Sequence, residues 1–243
     1  MSRAHRGLTV PLLLVLLAGA ILGCSRPNLT NVGTTHPPAA PTRAPVDADK
    51  VVAGLKAALG PDMPIRLKAT ADTRVNEGAV TFLMDGDFQG NEMDAHASFR
   101  LGIVQLSYDV IAADGKAYVR PYQGKWAKSP EKVPPDGGGP FGDMRKAKLE
   151  FAGPSKADRD LYVINWDQAT HAARALNGTL FSSLKVKSAS MQFLVDANGK
   201  PYTATYVLKG TGKVEGESYK VTVNGYYQFF AVREPHEFKS PMK

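Results

Sequence analysis

The chain has 243 residues, of which 43% are hydrophobic and 22% charged, with a formal net charge of +7 at pH 7. This length suits one domain with a sizeable core plus a tether, and the single cysteine, Cys24, excludes an intramolecular disulfide. The lysines are scattered along candidate strands, which favours a solvated surface. The positive charge weakly favours anionic partners such as lipid headgroups, and we expect no nucleic-acid partner.

The amino terminus has the organisation of an export leader. Arg3, His5 and Arg6 make a short basic segment, and an apolar stretch runs from Leu8 to Leu22. That stretch is too short and too interrupted to span a bilayer comfortably as a mature helix. Its proportions are those of the hydrophobic region of a signal peptide, so residues 1–23 are predicted to be a cleaved leader.

Cys24 lies where this leader ends. The sequence Ile21-Leu22-Gly23-Cys24 resembles the lipobox of bacterial lipoproteins, although Leu22 is less usual at its position than a small residue. In a lipobox the cysteine thiolate is the nucleophile that accepts a diacylglyceryl group and so forms a thioether. Further acylation, for example with palmitate, makes the anchoring stable. We expect lipidation of Cys24 and a position on the extracytoplasmic face of the cell membrane, within the cell envelope. The alternative is an ordinary signal peptide followed by an accidental cysteine.

A linker follows the cysteine. Residues 24–47 contain several Thr and almost no large apolar residues, and they include Pro27, Pro37, Pro38, Pro41 and Pro45. Such a segment cannot bury enough surface to offset its chain entropy. We therefore expect an extended, mobile tether with polyproline II character, followed by a single domain over residues 48–243.

The first half of this domain is predicted to be one helix followed by strands. Asp47 to Leu59 places its apolar residues on one helical face, and Gly60-Pro61 ends the pattern. Apolar and polar residues alternate from there on, which is typical of half-buried strands. The predicted strands cover Ile65–Val75, Val80–Phe88, Met93–Leu101, Val104–Val110 and, after an Asp114-Gly115 turn, Lys116–Arg120.

The second half mixes predicted helices and strands. A loop rich in Pro and Gly runs from Pro130 to Pro140 and precedes a short predicted helix over Asp143–Leu149. Leu161–Ile164 is short and rich in β-formers, whereas Asn165–Asn177 has apolar residues near helical spacing and ends at Gly178. Three further strands are predicted over Lys185–Asp196, Tyr202–Leu208 and Tyr219–Phe229, with an Asn198-Gly199 hairpin turn between the first two.

These elements predict an α+β fold with a curled antiparallel sheet, a half-barrel, whose concave face is covered by the N-terminal helix and a helical insertion. Two or three short helices are too few to cover so wide a sheet completely, so an apolar cavity is expected between the sheet and the helices. The residues predicted to line it share apolar strand faces: Leu67, Phe82, Met84, Leu106, Tyr108, Met191, Phe193, Tyr206, Leu208 and Val223.

Several short phrases resemble one known group. They are Ala113–Val119 (ADGKAYV), Gly124-Lys125-Trp126, the Asn198–Pro201 hairpin and a tail with proline over Glu234–Pro241. With the lipobox, they resemble the LppX/LprA/LprF/LprG-type lipoproteins, whose fold is LolA-like. The resemblance implies a half-barrel that holds acyl glycolipid or triacylglycerol and carries it across the envelope. Bulky Phe and Tyr on the C-terminal strands depart from the pattern, and no lipid-specific residue can be carried over.

Signals for catalysis or metal binding are weak. The histidines do not fall at metal-ligand spacing, and the chain has no G-x-S-x-G nucleophile motif. Gly137–Gly139 lacks the lysine of a phosphate loop. Asp85-Gly86-Asp87 with Glu92 and Asp94 reads better as a turn between strands than as a calcium site. We therefore expect no enzyme, no cofactor and no metal.

The resulting hypothesis is a membrane-anchored lipoprotein that binds or carries a lipid, glycolipid or other hydrophobic ligand. Burial of acyl chains needs only an apolar cavity and a way in, which suits the missing catalytic signals. Two alternatives stay open: a surface-tethered module that binds a protein and has a filled core, and a sensory accessory domain. The sequence does not indicate which protein partners such a module would have.

Overall fold

The structure is a computed structural model and describes residues 45–76, 78–132, 141, 144–158, 160–167, 183–214, 217–232 and 237–242. The leader, Cys24 and most of the tether lie outside these residues. Within them, no helix is long and apolar enough to cross a membrane.

The described residues contain one α-helix, α1 (Ala48–Ala58), and eleven strands. The strands are β1 (Ile65–Val75), β2 (Gly78–Gln89), β3 (Glu92–Leu101), β4 (Val104–Ala113), β5 (Lys116–Pro121), β6 (Ala127–Lys132), β7 (Leu149–Pro154), β8 (Tyr162–Asp167), β9 (Ser183–Val195), β10 (Pro201–Val214) and β11 (Glu217–Phe230).

All eleven strands form one antiparallel sheet in the order β6-β5-β4-β3-β2-β1-β11-β10-β9-β8-β7. Most neighbours are consecutive in sequence, but the first and last strands pair in the middle of the sheet, with Ala71 opposite Gly225. The sheet stays open, because β6 and β7 form its edges. The predicted antiparallel sheet is confirmed, and its halves join through the β1–β11 pair.

Helix α1 forms as the sequence predicts. The Asp47 side chain accepts hydrogen bonds from the backbone N–H groups of Asp49 and Lys50 at 3.0 and 3.1 Å, which caps the first turn. Val51 and Leu55, one turn apart, are fully buried, so the amphipathic face holds the helix on the sheet. The helix stops before Leu59, and Gly60-Pro61 prevents another turn.

The predicted strands of the first half are confirmed. In β1 the residues Leu67, Ala69, Ala71 and Thr73 are buried and alternate with more exposed neighbours. The same alternation runs through β2, β3, β10 and β11. Because side chains alternate across a strand, this pattern gives the sheet one apolar face and one polar face. We call the apolar face the inner face.

The predicted helical insertion is not supported. The helix expected from Asn165 begins instead with three strand residues, since β8 runs to Asp167 and pairs with β9, Trp166 opposite Met191. Tyr162, Ile164 and Trp166 alternate with period two, and pairing with β9 outweighs the helical spacing farther along. Residues 168–182 lie outside the described residues, as does the remainder of that predicted helix.

The other predicted helix, over Asp143–Leu149, is also wrong in type and extent. Only Met144–Lys146 is helical among the residues described there, as a single 3₁₀ turn, and Leu149 already begins β7. Strand β6 was not predicted either, because Pro130 lies within it. Proline lacks the N–H that a central strand needs, but an edge strand such as β6 can accommodate it.

Candidate functional site: the inner face of the sheet

Nine of the ten residues predicted to line an interior share one contiguous core on the inner face. Tyr108 is half-buried at its margin, and eight are buried: Leu67, Phe82, Met84, Met191, Phe193, Tyr206, Leu208 and Val223. Leu106 differs, because its side chain is 48% exposed. It pairs with Phe99 on β3, but the β5 ladder ends opposite Tyr108, so no β5 residue flanks Leu106.

The strand register determines where large and small side chains lie side by side on the inner face. One row across the sheet runs Phe82, Ala71, Gly225, Tyr206, each directly opposite the next. Two small residues therefore lie side by side between two large ones. With neighbouring strands about 4.8 Å apart, the backbones of Phe82 and Tyr206 are about 14 Å apart. Within this row the inner face is thus lowest at Ala71 and Gly225.

One end of the inner face is filled by the chain itself. Phe141 is buried and packs its ring on three aromatic rings of the sheet, at centroid distances of 5.4 Å to Tyr227, 5.6 Å to Phe229 and 6.1 Å to Phe193. Met144 is fully buried close by in sequence. Phe141 was not predicted to be a core residue, although a single phenylalanine beside a stretch rich in Pro and Gly indicates that this part of the chain packs on the core.

Two hydroxyl groups on the inner face lack hydrogen-bond partners within the described structure: Tyr206 Oη and Thr73 Oγ1. Burial raises the pKa of the Tyr206 phenol well above its usual range, so the group stays protonated. Burial, and then the proximity of Tyr206, likewise raise the pKa of Tyr227. A buried hydroxyl without a partner is destabilising, and both hydroxyls could bond to a polar group brought in by a ligand.

The inner face reaches solvent at the β3–β4 hairpin. Phe82 and Phe99 stack at 5.0 Å between ring centroids, and Phe99 contacts Tyr108 at 6.1 Å. Beyond Phe99 the same face continues through Leu101 and its partner Val104, both exposed. An apolar path therefore leads from the core to the surface.

The outer face carries paired charges. Lys68, Asp85, His96, Asp109 and Arg120 form a row with each residue opposite the next. His96 Nδ1 lies 2.9 Å from one Asp109 oxygen, and Arg120 donates to the other at 2.8 Å. Such cross-strand pairs of polar and charged side chains are typical of a solvated sheet surface.

Asp85 and Asp87, which were predicted to lie in a turn between strands, lie instead within β2 on this outer face, because β2 continues to Gln89. Arg66 binds Asp85 and Asp87, each at 2.6 Å, and Lys68 also contacts Asp85 at 3.2 Å. Their negative charge is therefore compensated by cations of the chain. No group of three or more potential ligands in the described ranges could hold a metal ion.

Comparisons with known proteins do not assign the chain to a family. No protein-family model matches the sequence, and no curated protein shows significant sequence similarity. Among solved structures, a DUF1329 family protein from Desulfovibrio piger aligns at 11% identity and a TM-score of 0.31, covering 75% of this chain and 89% of its own. A LolA superfamily protein from Nitrosomonas europaea aligns at 11% identity and a TM-score of 0.29, covering 81% and 99%. Alignments with TM-scores this low do not establish a shared fold or function. The architecture is therefore described by its own strand order and register.

Proposed function

We propose that this protein is a membrane-anchored lipoprotein that binds or carries a lipid, glycolipid or other hydrophobic ligand against the inner face of its sheet. The anchor is Cys24, at the end of a segment that resembles a lipobox. No catalytic group is assigned, since holding an acyl chain requires apolar surface rather than chemistry. The expected location is the extracytoplasmic side of the cell membrane.

The observation that carries the proposal is the continuity of the apolar inner face from the core to the surface. Its low central row at Ala71 and Gly225 is joined through Phe82 and Phe99 to the exposed end of the β3–β4 hairpin. An acyl chain could follow this path without crossing a ring of charged side chains. The unpartnered hydroxyls of Tyr206 and Thr73 would serve the ester or hydroxyl groups of such a ligand.

The resemblance to LppX/LprA/LprF/LprG-type lipoproteins points to the same function. It supplies the finer expectation that the ligand is an acyl glycolipid or triacylglycerol and that the protein moves it across the envelope. This expectation rests on the sequence phrases alone.

One observation favours the alternative, a tethered protein-interaction or sensory module with a filled core. Leu67, Phe193 and Leu208 are each fully buried, so the inner face is covered at these positions. A carrier would have to move that cover aside when the ligand enters, whereas an interaction module would keep it in place.

Native mass spectrometry of the full-length protein from its own host tests the proposal. We expect a fraction of molecules to carry an additional noncovalent mass that organic extraction identifies as lipid. Ala71→Leu, which fills the low part of this central row, should reduce that fraction severalfold. Ala79→Leu, at an exposed position on β2, is the matched control and should leave it unchanged.

Circular dichroism establishes that both variants are folded. A wild-type protein with no bound lipid in any preparation would contradict the carrier and favour the interaction module. If folded Ala71→Leu retained all of its lipid, the ligand would not lie on the inner face.

A further inference from the structure

The tip of the β3–β4 hairpin is apolar where a tight turn is ordinarily polar. Leu101 pairs with Val104, and only Gly102 and Ile103 connect them. Gly102 has φ +58°, which a tight turn requires and glycine permits. Ile103 has no such conformational reason to be there, yet its side chain is fully exposed. By comparison, the two-residue β2–β3 and β4–β5 turns of this sheet, Gly90-Asn91 and Asp114-Gly115, each contain a polar residue.

Four large aliphatic side chains are exposed together at this tip. They are Leu101, Ile103, Val104 and Leu106. Single exposed apolar residues are ordinary, but a contiguous exposed group indicates an interaction site. Because none of the four can donate or accept a side-chain hydrogen bond, the surface they fit is apolar and needs no directional contacts.

At the end of the sheet that carries the tip, the exposed charges of the described residues are mainly positive. Strand directions place the β3–β4 turn at the same end of the sheet as the β1–β2 and β10–β11 turns. Among the described residues, the exposed cations at this end include Arg74, Arg100, Lys185, Lys187, Lys213 and Lys220, and the exposed carboxylates are those of Glu217 and Asp167. The opposite end carries exposed charges of both signs, among them Asp62, Asp114, Lys116 and Lys200. The apolar tip therefore projects from the more basic end of the sheet.

We propose that the β3–β4 hairpin tip inserts into the surface of an anionic phospholipid bilayer. Aliphatic side chains would enter the boundary between headgroups and acyl chains, while the lysines and arginines at the same end of the sheet contact anionic headgroups. A protein partner is less well matched, because binding hot spots are enriched in Trp, Tyr and Arg and depleted in Leu and Val. This contact requires neither the Cys24 anchor nor a ligand on the inner face, so it can fail or succeed independently of the proposed function.

Site-specific fluorescence tests the insertion in the full-length chain. Cys24 is the chain's one cysteine, so Cys24→Ala combined with Ile103→Cys gives a single labelling position for a fluorophore sensitive to polarity. Lys116→Cys in the same background is the control, since Lys116 is exposed at the opposite end of the sheet.

With phosphatidylglycerol vesicles, the label at position 103 should shift to the blue and be quenched by lipids with a spin label on the acyl chain. The label at position 116 should do neither, and phosphatidylcholine vesicles should give a weaker response at position 103. A label at 103 that stays in a polar environment in the presence of phosphatidylglycerol vesicles would overturn the proposal. A blue shift without vesicles that grows with protein concentration would overturn it in favour of contact with a second copy of the chain.

A binding measurement separates apolar insertion from charge. In the Cys24→Ala background, Ile103→Asp should weaken binding to phosphatidylglycerol vesicles about tenfold more than Thr211→Asp does. Thr211 is exposed near the same end of the sheet, so its variant changes charge equally without removing an aliphatic side chain. The leader is common to both variants, and thermal melting verifies that both are folded. Equal losses in the two variants would show that the tip contributes only charge and would contradict insertion.

Discussion

Gly54 of helix α1 packs directly on the backbone of Asn198 in the β9–β10 turn. A β-carbon at Gly54 would overlap the carbonyl oxygen of Asn198, and one at Gly199 would overlap backbone atoms of α1. Helix and turn thus approach to a distance that only glycine allows on each side. The Asn198-Gly199 turn, predicted as a hairpin connection, also forms the surface on which α1 packs.

Replacing Gly54 with alanine should therefore destabilise the domain. In a solvent-exposed helix this change would stabilise by about 1 kcal/mol, but here α1 has to move away from the turn. We expect a net loss of about 1–3 kcal/mol in the free energy of unfolding, measured by urea denaturation.

The control for this prediction is Gly78→Ala. A β-carbon at Gly78 would meet only the carbonyl oxygen of Val75, at an ordinary 3.4 Å. This variant should keep the stability of the wild type. If Gly54→Ala were as stable as Gly78→Ala, the close packing of α1 on the turn would be refuted.

Ala204 lies on β10 between two residues whose rings Phe141 contacts. Its neighbours across β10 are Tyr227 on one side and Phe193 on the other, and Phe141 stacks on both rings. Ala204→Trp should overpack this region and cost about 1–3 kcal/mol of stability. Phe141→Ala should cost about 3–5 kcal/mol by leaving a void.

The double variant distinguishes a filled core from ligand space. The new indole should fill the void left by Phe141, so the two losses should be less than additive. If the two stability losses were strictly additive, the indole at position 204 would not occupy the space of the Phe141 ring. If Ala204→Trp alone kept full stability but lost bound lipid, this region would instead belong to the ligand.

Tyr206→Phe removes a buried hydroxyl that has no partner within the described structure. Without a ligand, the variant should be as stable as the wild type or up to about 1–2 kcal/mol more stable, because an unsatisfied group is eliminated. If a polar group of the lipid forms a hydrogen bond with the Tyr206 hydroxyl, the variant should retain less lipid than the wild type. Calorimetric melting of delipidated and lipid-loaded protein measures both effects.

Tyr202→Phe is the matched control on the same strand. Tyr202 is exposed, because a register shift between Pro201 and Thr203 takes it out of phase with Ala204 and Tyr206. The control should change neither stability nor lipid retention. A loss of stability in delipidated Tyr206→Phe would reveal a partner for the hydroxyl and remove it from the candidate site.

The Asp109 pair network predicts a dependence of stability on pH. Partial burial acts to raise the pKa of Asp109, but hydrogen bonds from His96 and Arg120, together with their charges, hold it below its usual value. Its contribution to stability is therefore complete above the unfolded-state pKa, about 3.9, and is lost as pH falls through the lower folded-state pKa. Asp109→Asn should lack this contribution.

Urea unfolding from neutral to strongly acidic pH measures the effect. The stability difference between the wild type and Asp109→Asn should be constant near neutrality and shrink below about pH 4. In Arg120→Met the carboxylate loses a cation, so its folded-state pKa should rise towards the unfolded-state value and the pH-dependent part of the stability should be smaller. A difference independent of pH throughout would contradict the role of these contacts.

The anchor is tested by Cys24→Ala. Metabolic labelling with fatty acid should mark the wild type and leave the variant unmarked, because the thiol is the predicted acceptor. The variant should also be released from membranes more easily in a high-salt wash that disrupts the electrostatic contacts of the hairpin end. An unlabelled wild type would favour the alternative of an ordinary signal peptide followed by an accidental cysteine.

Local patterns in the sequence were sufficient for α1 and for the strands of the first half. The Asp47 cap, the spacing of Val51 and Leu55, and the alternation from Ile65 to Val75 each describe interactions within a few residues. Such interactions form in much the same way whatever the remainder of the chain does. The leader and the resemblance to a lipobox at Cys24 are also properties of local sequence, and they stay predictions.

Long-range pairing decided what local patterns could not. The spacing of apolar residues after Asn165 favours a helix, but β9 offers a complete ladder to Tyr162–Asp167 and the strand prevails there. Strand β6 escaped prediction because the effect of Pro130 depends on whether the strand is central or at an edge. Only the order of strands in the sheet settles that.

The candidate site shows the same division. Alternation put Leu67, Phe82, Tyr206 and Leu106 on apolar faces, but it could not tell that the first three are buried while Leu106 is exposed where β5 ends. The low row of Ala71 and Gly225 exists only because β1 pairs with β11, far apart in sequence. A sequence determines which face of each strand is apolar, since side-chain direction alternates locally. Which apolar residues become neighbours, and which reach solvent, depends on partners that only the tertiary structure brings together.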